Sequence, residues 1–142
     1  MADNIHATLV LLADRGVLVT GASGAGKSSL ALDLLANARG FALLVSDDRV
    51  LLERLPDGRL VGRAPAPIRG QIEVHGFGIV PYAFATSAVI DLVVELVDPA
   101  AIERMPDPQL RDGVPAIKVP WRNTTIARQH VAAALRRLNS GV

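Results

Sequence analysis

The first group of potentially catalytic or ligand-binding residues in the chain is the segment 21–28, which has the pattern G-x-x-x-x-G-K-S. This is the P-loop pattern, in which glycines let backbone N–H groups surround phosphate oxygens at the start of a helix. Lys27 would reach the β- and γ-phosphates, and the Ser28 hydroxyl would ligate Mg²⁺. The alternative is a glycine-rich turn that matches by chance. The segment, called the P-loop below, predicts binding of a nucleoside triphosphate with Mg²⁺.

The elements on both sides of the P-loop agree with this prediction. Residues 16–20 are apolar and β-branched, as in a buried strand, and residues 29–36 have the composition of a helix. Strand, glycine loop and helix in this order are what phosphate binding needs. The predicted ATP-contacting residues are Gly21, Ala22, Ser23, Gly24, Ala25, Gly26, Lys27, Ser28 and Ser29.

Acidic residues that could complete a nucleotide site follow later in the chain. Asp47 and Asp48 close an apolar strand, residues 41–46, where a metal-binding or catalytic acid would lie. Adjacent strand residues point to opposite faces, so we expect the two carboxylates to differ in role unless they only begin a turn. Glu73 is a third candidate, in a stretch with Gly76 and Gly78. From pattern alone, however, Glu73 would be a solvent-exposed strand residue.

The remaining pattern predicts an α/β domain: a mixed sheet with one P-loop helix and one C-terminal helix. Helices are expected over residues 27–37, with Gly40 as a C-terminal stop, and 123–138, with Asn123 or Thr124 as N-cap. The predicted extended segments are residues 6–13, 16–20, 41–46, a hairpin over 50–62, an interrupted stretch over 71–80, and 88–97. Residues 98–115 hold four prolines and are predicted to form a loop. Most P-loop enzymes instead repeat βαβ units.

Composition limits the class of protein. The 142 residues suit a single domain over residues 1–142, with half of the residues hydrophobic. The net charge of +1 offers no electrostatic case for nucleic-acid binding. The chain has no cysteine, no signal-peptide pattern and no apolar run of the roughly 20 residues that span a membrane. We therefore expect a cytoplasmic protein with no membrane partner.

The order of these motifs resembles the catalytic domain of HPr kinase/phosphorylase. The strand-end residues 46–50 (SDDRV) are similar to the family's A-D-D-x-V, and residues 72–79 (IEVHGFGI) resemble its signature E-I-R-G-L-G-I. His6 lies 15 residues before Gly21, where the family has a catalytic histidine. Residues 119–123 (VPWRN) resemble the family's P-G-R-N segment. Each motif apart from the P-loop is weak, and their shared order makes the resemblance specific.

The resemblance implies an ATP- and Mg²⁺-dependent kinase that phosphorylates a serine of an HPr-like phosphocarrier in the phosphotransferase system. Many members also remove that phosphate with inorganic phosphate, giving pyrophosphate. Carried over, Lys27 binds the β- and γ-phosphates, and Ser28 and Glu73 hold Mg²⁺. Asp47 or Asp48 accepts the serine proton, and His6 assists near the γ-phosphate. Arg104 occupies the place of a catalytic arginine, or is a solvated loop charge.

The chain also departs from the family pattern. The motifs begin at His6, so we expect the short form, without the family's N-terminal domain. His75 stands where the signature has arginine, and Trp121 interrupts the P-G-R-N segment, which is linked to dephosphorylation. Kinase activity is therefore a safer prediction than phosphorylase activity. The family implies a homo-oligomer, a hexamer in full-length members. A small-molecule P-loop kinase and a non-catalytic ATP-binding regulator remain as alternatives.

Overall fold

The computed structural model describes residues 3–140. Within this range the chain forms one large mixed sheet, a small two-stranded sheet and two α-helices. The strands are β1 (Asp3–Ile5), β2 (Thr8–Leu12), β3 (Arg15–Gly21), β4 (Ala42–Ser46), β5 (Val50–Arg54), β6 (Leu60–Arg63), β7 (Gln71–Val74), β8 (Gly78–Pro81), β9 (Ser87–Val97), β10 (Gln109–Arg111) and β11 (Val114–Pro120). The helices are α1 (Lys27–Ala36) and α2 (Thr124–Asn139). The predicted fold class is confirmed.

Strand β9 organises the large sheet. Its first residues pair antiparallel with β6, and its C-terminal part pairs in parallel with both β3 and β11. Around it the order is β1-β5-β6-β9-β3-β2-β4. Because β3, β9 and β11 run in parallel, their carboxyl ends meet at one edge. The P-loop follows β3 at that edge, and residues 121–123 follow β11 there.

The core lies on both faces of this sheet. One cluster packs α1 and α2 against it, through residues such as Leu30, Leu34 and Val131. The other cluster consists of strand and turn residues alone, including Leu9, Val50 and Val93, so the sheet covers its own second face. The buried hydrophobic residues among those described are Ala, Val, Leu and Ile. A core of aliphatic side chains is what a chain with 4% aromatic residues must build.

The helix ends agree with prediction at one helix and differ at the other. Asn123 caps α2 as predicted, with its side-chain oxygen accepting from the Ile126 N–H at 3.2 Å. Gly40 does not end α1, which stops at Ala36, where the Asn37 N–H bonds the Asp33 carbonyl. Neither helix in residues 3–140 is long and apolar enough to cross a membrane.

The predicted loop over residues 98–115 is partly wrong. Residues 109–111 and 114–120 form the β10–β11 hairpin, closed by Asp112 and Gly113, both with positive φ. An Asp-Gly pair is a common two-residue hairpin turn, and the prolines of the segment outweighed it in the sequence. Pro115 is compatible with a strand because its pairing is to β10, and pairing with β9 begins at Ala116. Residues 71–80 likewise form a hairpin, β7–β8, rather than one interrupted strand.

The close approach of β3 and β9 depends on Gly16. A Cβ atom there would lie 2.0 Å from the Val89 carbonyl oxygen, a backbone atom that cannot turn away. We expect Gly16→Ala to lower the free energy of unfolding by about 3 kcal/mol or more, at the upper end of overpacking costs. Unfolding in urea measures this difference in the free energy of unfolding. Gly40→Ala, where a Cβ meets nothing within 4 Å, is the matched control. Equal stability of the two variants would show that the strand pairing is looser than described.

Candidate active site at the carboxyl ends of the parallel strands

The P-loop joins β3 to α1 through two glycines in left-handed conformations. Gly24 has φ 80° and Gly26, the N-cap of α1, has φ 99°. A Cβ atom would find open space at both positions, so glycine is needed for its backbone freedom. Among the described residues, no side chain caps α1. The first N–H groups of the helix are therefore available to an anionic ligand.

Lys27 lies across the P-loop. Its Nζ donates to the carbonyl oxygens of Gly21 at 3.0 Å and Ala22 at 3.2 Å. The Ala25 N–H donates to the Ala22 carbonyl at 3.0 Å and closes the loop beneath it. The ammonium group is thus held beside the helix N terminus, where its charge adds to that of the helix dipole.

Asp47 faces the P-loop and is buried, with 7% of its surface exposed. One carboxylate oxygen accepts from the Ser28 hydroxyl at 2.5 Å and the Thr8 hydroxyl at 2.9 Å. The other accepts from the Glu73 N–H at 2.9 Å. Both oxygens are therefore engaged, and this carboxylate ties β2, α1, β4 and β7 together at one point.

Asp48 has the opposite environment. Its side chain is 71% exposed, and one carboxylate oxygen lies 3.9 Å from His6 Nδ1. Its backbone has φ 71°, and the Arg49 N–H donates to the Asp47 carbonyl at 2.8 Å across it, as in a γ-turn. This turn, rather than strand alternation, separates the two carboxylates.

These groups line one cleft of about 770 Å³, a volume typical of small-ligand sites. The β7–β8 hairpin contributes Glu73 and His75 to its wall. The predicted site residues on the wall are Ser23, Gly24, Gly26, Lys27, Ser28, Ser29, Asp47, Asp48 and Glu73. Gly21, Ala22 and Ala25 do not line it, and His6 approaches it through Asp48.

The two arginine positions differ. Arg122 lies in the segment between β11 and α2 and lines the cleft. Its backbone has φ 56°. Its guanidinium group lies over the Trp121 ring, with 5.5 Å between the guanidinium carbon and the ring centroid. Arg104 is exposed in the segment between β9 and β10 and does not line the cleft. The proposed role of Arg104 stays a prediction that this geometry does not support.

The arrangement has the parts that phosphoryl transfer needs. The cationic and N–H groups of the P-loop line the same cleft as the exposed Asp48 carboxylate and Glu73. In residues 3–140 there is no group of three or more histidine, aspartate and glutamate side chains that could hold a metal ion by themselves. A magnesium ion here would need ligands from phosphate as well, which is how Mg²⁺ commonly binds with nucleotides.

The sequence analysis missed one site residue, Thr8, and left the role of Arg122 open. Thr8, fully buried on β2, bonds Asp47 and Asp48, and its sequence signal was a hydroxyl in an apolar strand two residues after His6. Arg122 was equally compatible with a surface charge, since only the fold brings residues 121–123 back to the P-loop edge. Its glycine-like φ could not be read from an arginine.

Comparisons with known proteins agree with this fold. The family described as HPr Serine kinase C-terminal domain matches residues 1–134. The chain therefore belongs to the HPr serine kinase C-terminal domain family. The structure of the Hpr(Ser) kinase/phosphatase from Coxiella burnetii superimposes with a TM-score of 0.73, 26% identity and coverage of 98% of this chain and 96% of that one.

Curated relatives extend the comparison. The HPr kinase/phosphorylase of Geobacter sulfurreducens is 37% identical over 134 residues, 84% of this chain and 41% of that protein. That of Bordetella petrii is 33% identical over 128 residues, 81% of this chain and 41% of that protein. The chain thus spans about two fifths of the length of these relatives.

Proposed function

We propose that this domain transfers the γ-phosphate of ATP to a serine of an HPr-like phosphocarrier protein. The observation that carries the proposal is the division of the acid pair. Asp47 is buried and bonded to the P-loop serine, whereas Asp48 is exposed in the same cleft beside His6. In this proposal Asp47 supports a metal ligand, and Asp48 accepts a proton from a substrate that arrives from solvent.

The nucleotide side of the cleft suits ATP with Mg²⁺. Ser28 donates its hydroxyl proton to Asp47, which leaves its oxygen lone pairs free for a cation, and Glu73 adds a carboxylate on the cleft wall. Hydroxyl and carboxylate oxygens are the ligands that Mg²⁺ prefers. When bound, Mg²⁺ would offset the charge of the β- and γ-phosphates. Lys27 and the first N–H groups of α1 would bind the same phosphates.

The acceptor side uses Asp48 as general base. Its carboxylate takes the serine proton as the serine oxygen bonds the γ-phosphorus and the bond from that phosphorus to the ADP oxygen breaks. His6, 3.9 Å from Asp48, is placed to orient that carboxylate. Arg122, which lines the same cleft, would offset charge on the transferred group.

Arg122 provides a prediction. Arg122→Ala should lower the rate of phosphotransfer roughly 10- to 100-fold, less than the loss of a fully buried donor, since water replaces part of its charge. Arg136→Ala, in the last turn of α2, is the control and should leave the rate unchanged. Steady-state kinetics with ATP varied checks both. If the Arg122→Ala enzyme is as fast as the Arg136→Ala enzyme, Arg122 has no role in phosphotransfer. The rate of Arg104→Ala would then be measured to test the other arginine.

The alternatives are less well supported. A small-molecule kinase would need helices that close over its substrate, and the described residues form only α1 and α2 as α-helices. A regulator that had lost the chemistry would not need Asp48 in a strained, exposed turn beside His6.

The reverse reaction uses the same groups. An oxygen of inorganic phosphate in the P-loop would bond the phosphorus of phosphoserine as the bond from that phosphorus to the serine oxygen breaks. Asp48, starting in its protonated form, would give its proton to that serine oxygen, so that the products are serine and pyrophosphate. Incubating serine-phosphorylated HPr with the domain and phosphate should release pyrophosphate. The absence of pyrophosphate, with forward transfer intact, would restrict the domain to the kinase direction.

We also propose that the protein forms a homo-oligomer, with the family's hexamer as the expected form. Sedimentation velocity measures its oligomeric state.

The forward reaction is tested with purified protein, γ-labelled ATP, Mg²⁺ and HPr from the same organism. We expect label on HPr that depends on Mg²⁺. Calorimetry on the same preparation measures ATP binding. If ATP binds and HPr stays unlabelled, the kinase proposal is wrong.

A further inference from the structure

Thr8 and its neighbour hold the backbone of Asp48 from both sides. The Asp48 N–H donates to Thr8 Oγ1 at 3.3 Å, and the Asp48 carbonyl accepts from the Ala7 N–H at 3.2 Å. Between them the Arg49 N–H bonds the Asp47 carbonyl at 2.8 Å. The peptide units that flank Asp48 are therefore fixed by Thr8 at the start of β2 and by Ala7, the residue before that strand.

This support matters because the conformation it holds is unfavourable. A non-glycine residue at φ 71° is strained, although aspartate tolerates it better than most, and such a conformation persists where surrounding contacts over-determine it. Relaxation of Asp48 to an ordinary φ would turn its carboxylate away from its place beside His6. Glycine would adopt this φ without strain, but the residue at this position is an aspartate.

The Thr8 hydroxyl uses its hydrogen and its lone pairs for different partners. The hydrogen is donated to the Asp47 carboxylate at 2.9 Å, and a lone pair accepts the Asp48 N–H. One buried oxygen atom thus links the carboxylate that supports Ser28 to the backbone that carries the proposed base. A serine can repeat both contacts, whereas valine, of the same shape, can make neither.

We infer that Thr8 is a positioning residue for phosphotransfer, which acts by holding Asp48 in its left-handed turn. Thr8 is fully buried and does not act on the substrate directly. The inference rests on the proposed function, because its kinetic effect is read through phosphotransfer.

The kinetic test compares Thr8→Val with Thr8→Ser. Thr8→Val should lower kcat for HPr phosphorylation roughly 10- to 100-fold, the range for displaced catalytic groups and lost supporting contacts, with little change in KM for ATP. Thr8→Ser should restore kcat to within about threefold of the original enzyme, since it returns the hydroxyl. Thr8→Ala is made in parallel, so that a folding defect specific to valine does not decide the result.

Two controls separate positioning from a general loss of stability. Thr20, also buried, donates to the Val94 carbonyl at 3.1 Å, and Thr20→Val should lower the Tm in the same way without lowering kcat. In an Asp48→Asn background, Thr8→Val should change kcat by less than about twofold, because residues that act as a unit are not additive. A full additional loss in that background, an unchanged kcat in Thr8→Val, or a rise in KM for ATP alone would overturn the inference.

A structure of Thr8→Val gives a readout that needs no activity. We expect Asp48 to leave the positive-φ region or to lose its approach to His6. An Asp48 that keeps φ near 71° and the 3.9 Å approach to His6 without the Thr8 hydroxyl would overturn the inference by itself. If the original enzyme transfers no phosphate, the proposed function fails and this structural comparison still decides the role of Thr8.

Discussion

Lys27→Ala is expected to reduce phosphotransfer to HPr by at least about 1,000-fold, the scale on which one cation beside the γ-phosphate accelerates transfer. The ammonium group contacts only carbonyl oxygens of the loop, Gly21 and Ala22, among its hydrogen-bond partners in residues 3–140. Its loss therefore removes charge from the phosphate site without emptying the core. We expect the Tm to change little.

The chain offers a matched control, because Lys118 is its only other lysine. Lys118 is exposed on β11 and does not line the cleft. Lys118→Ala removes the same charge from the protein and should keep full activity. Rates from label transfer, with Tm measured by calorimetry, compare the two. Full turnover in a folded Lys27→Ala protein would exclude the P-loop as the phosphate site.

Asp48→Asn is expected to lower kcat about 100- to 10,000-fold, the range for loss of a general base, while ATP still binds. The amide keeps the size of the side chain and cannot accept the serine proton. Because the carboxylate is exposed and its backbone is held by Ala7 and Thr8, the fold should be unaffected.

Asp47→Asn should give a different result and serves as the comparison. This carboxylate accepts three hydrogen bonds, from Ser28, Thr8 and Glu73. The side-chain NH₂ group of asparagine would face hydroxyl and N–H groups that also donate, so that hydrogen bonds are lost. We therefore expect weaker ATP binding and a lower Tm. Calorimetric ATP binding and kcat, measured on both variants, make the assignment. If Asp47→Asn loses kcat with intact ATP binding and Asp48→Asn remains active, the two roles are reversed.

The P-loop, its flanking strand and α1 could be predicted because their chemistry is local. Glycine spacing, Lys27 and Ser28 are set within a few consecutive residues, and the cap of α2 at Asn123 is local in the same way. The acid pair shows where local reasoning stops. Strand alternation correctly implied different environments for Asp47 and Asp48, but the cause is a γ-turn at Asp48, held by residues 7 and 8.

Long-range contacts explain two of the other differences, at Thr8 and Arg122. Thr8 joins the site only because β2 pairs with both β3 and β4, and Arg122 joins it only because β11 runs parallel to β9. Arg104 was assigned by resemblance in a proline-rich segment, and the fold leaves it off the cleft wall. The β10–β11 hairpin was missed because four prolines outweighed one Asp-Gly turn. For Thr8 and Arg122 the deciding partners are distant in sequence, whereas the hairpin turn is local and was outweighed by the prolines.

We propose above all that Asp48 is the general base for transfer of the γ-phosphate of ATP to one serine of HPr. The most direct measurement is mass-spectrometric mapping of HPr after incubation with ATP, Mg²⁺ and either the original domain or Asp48→Asn at equal bound ATP. We expect one phosphoserine with the original domain and almost none with Asp48→Asn. Unmodified HPr with the original domain, or equal phosphoserine with both proteins, would contradict it.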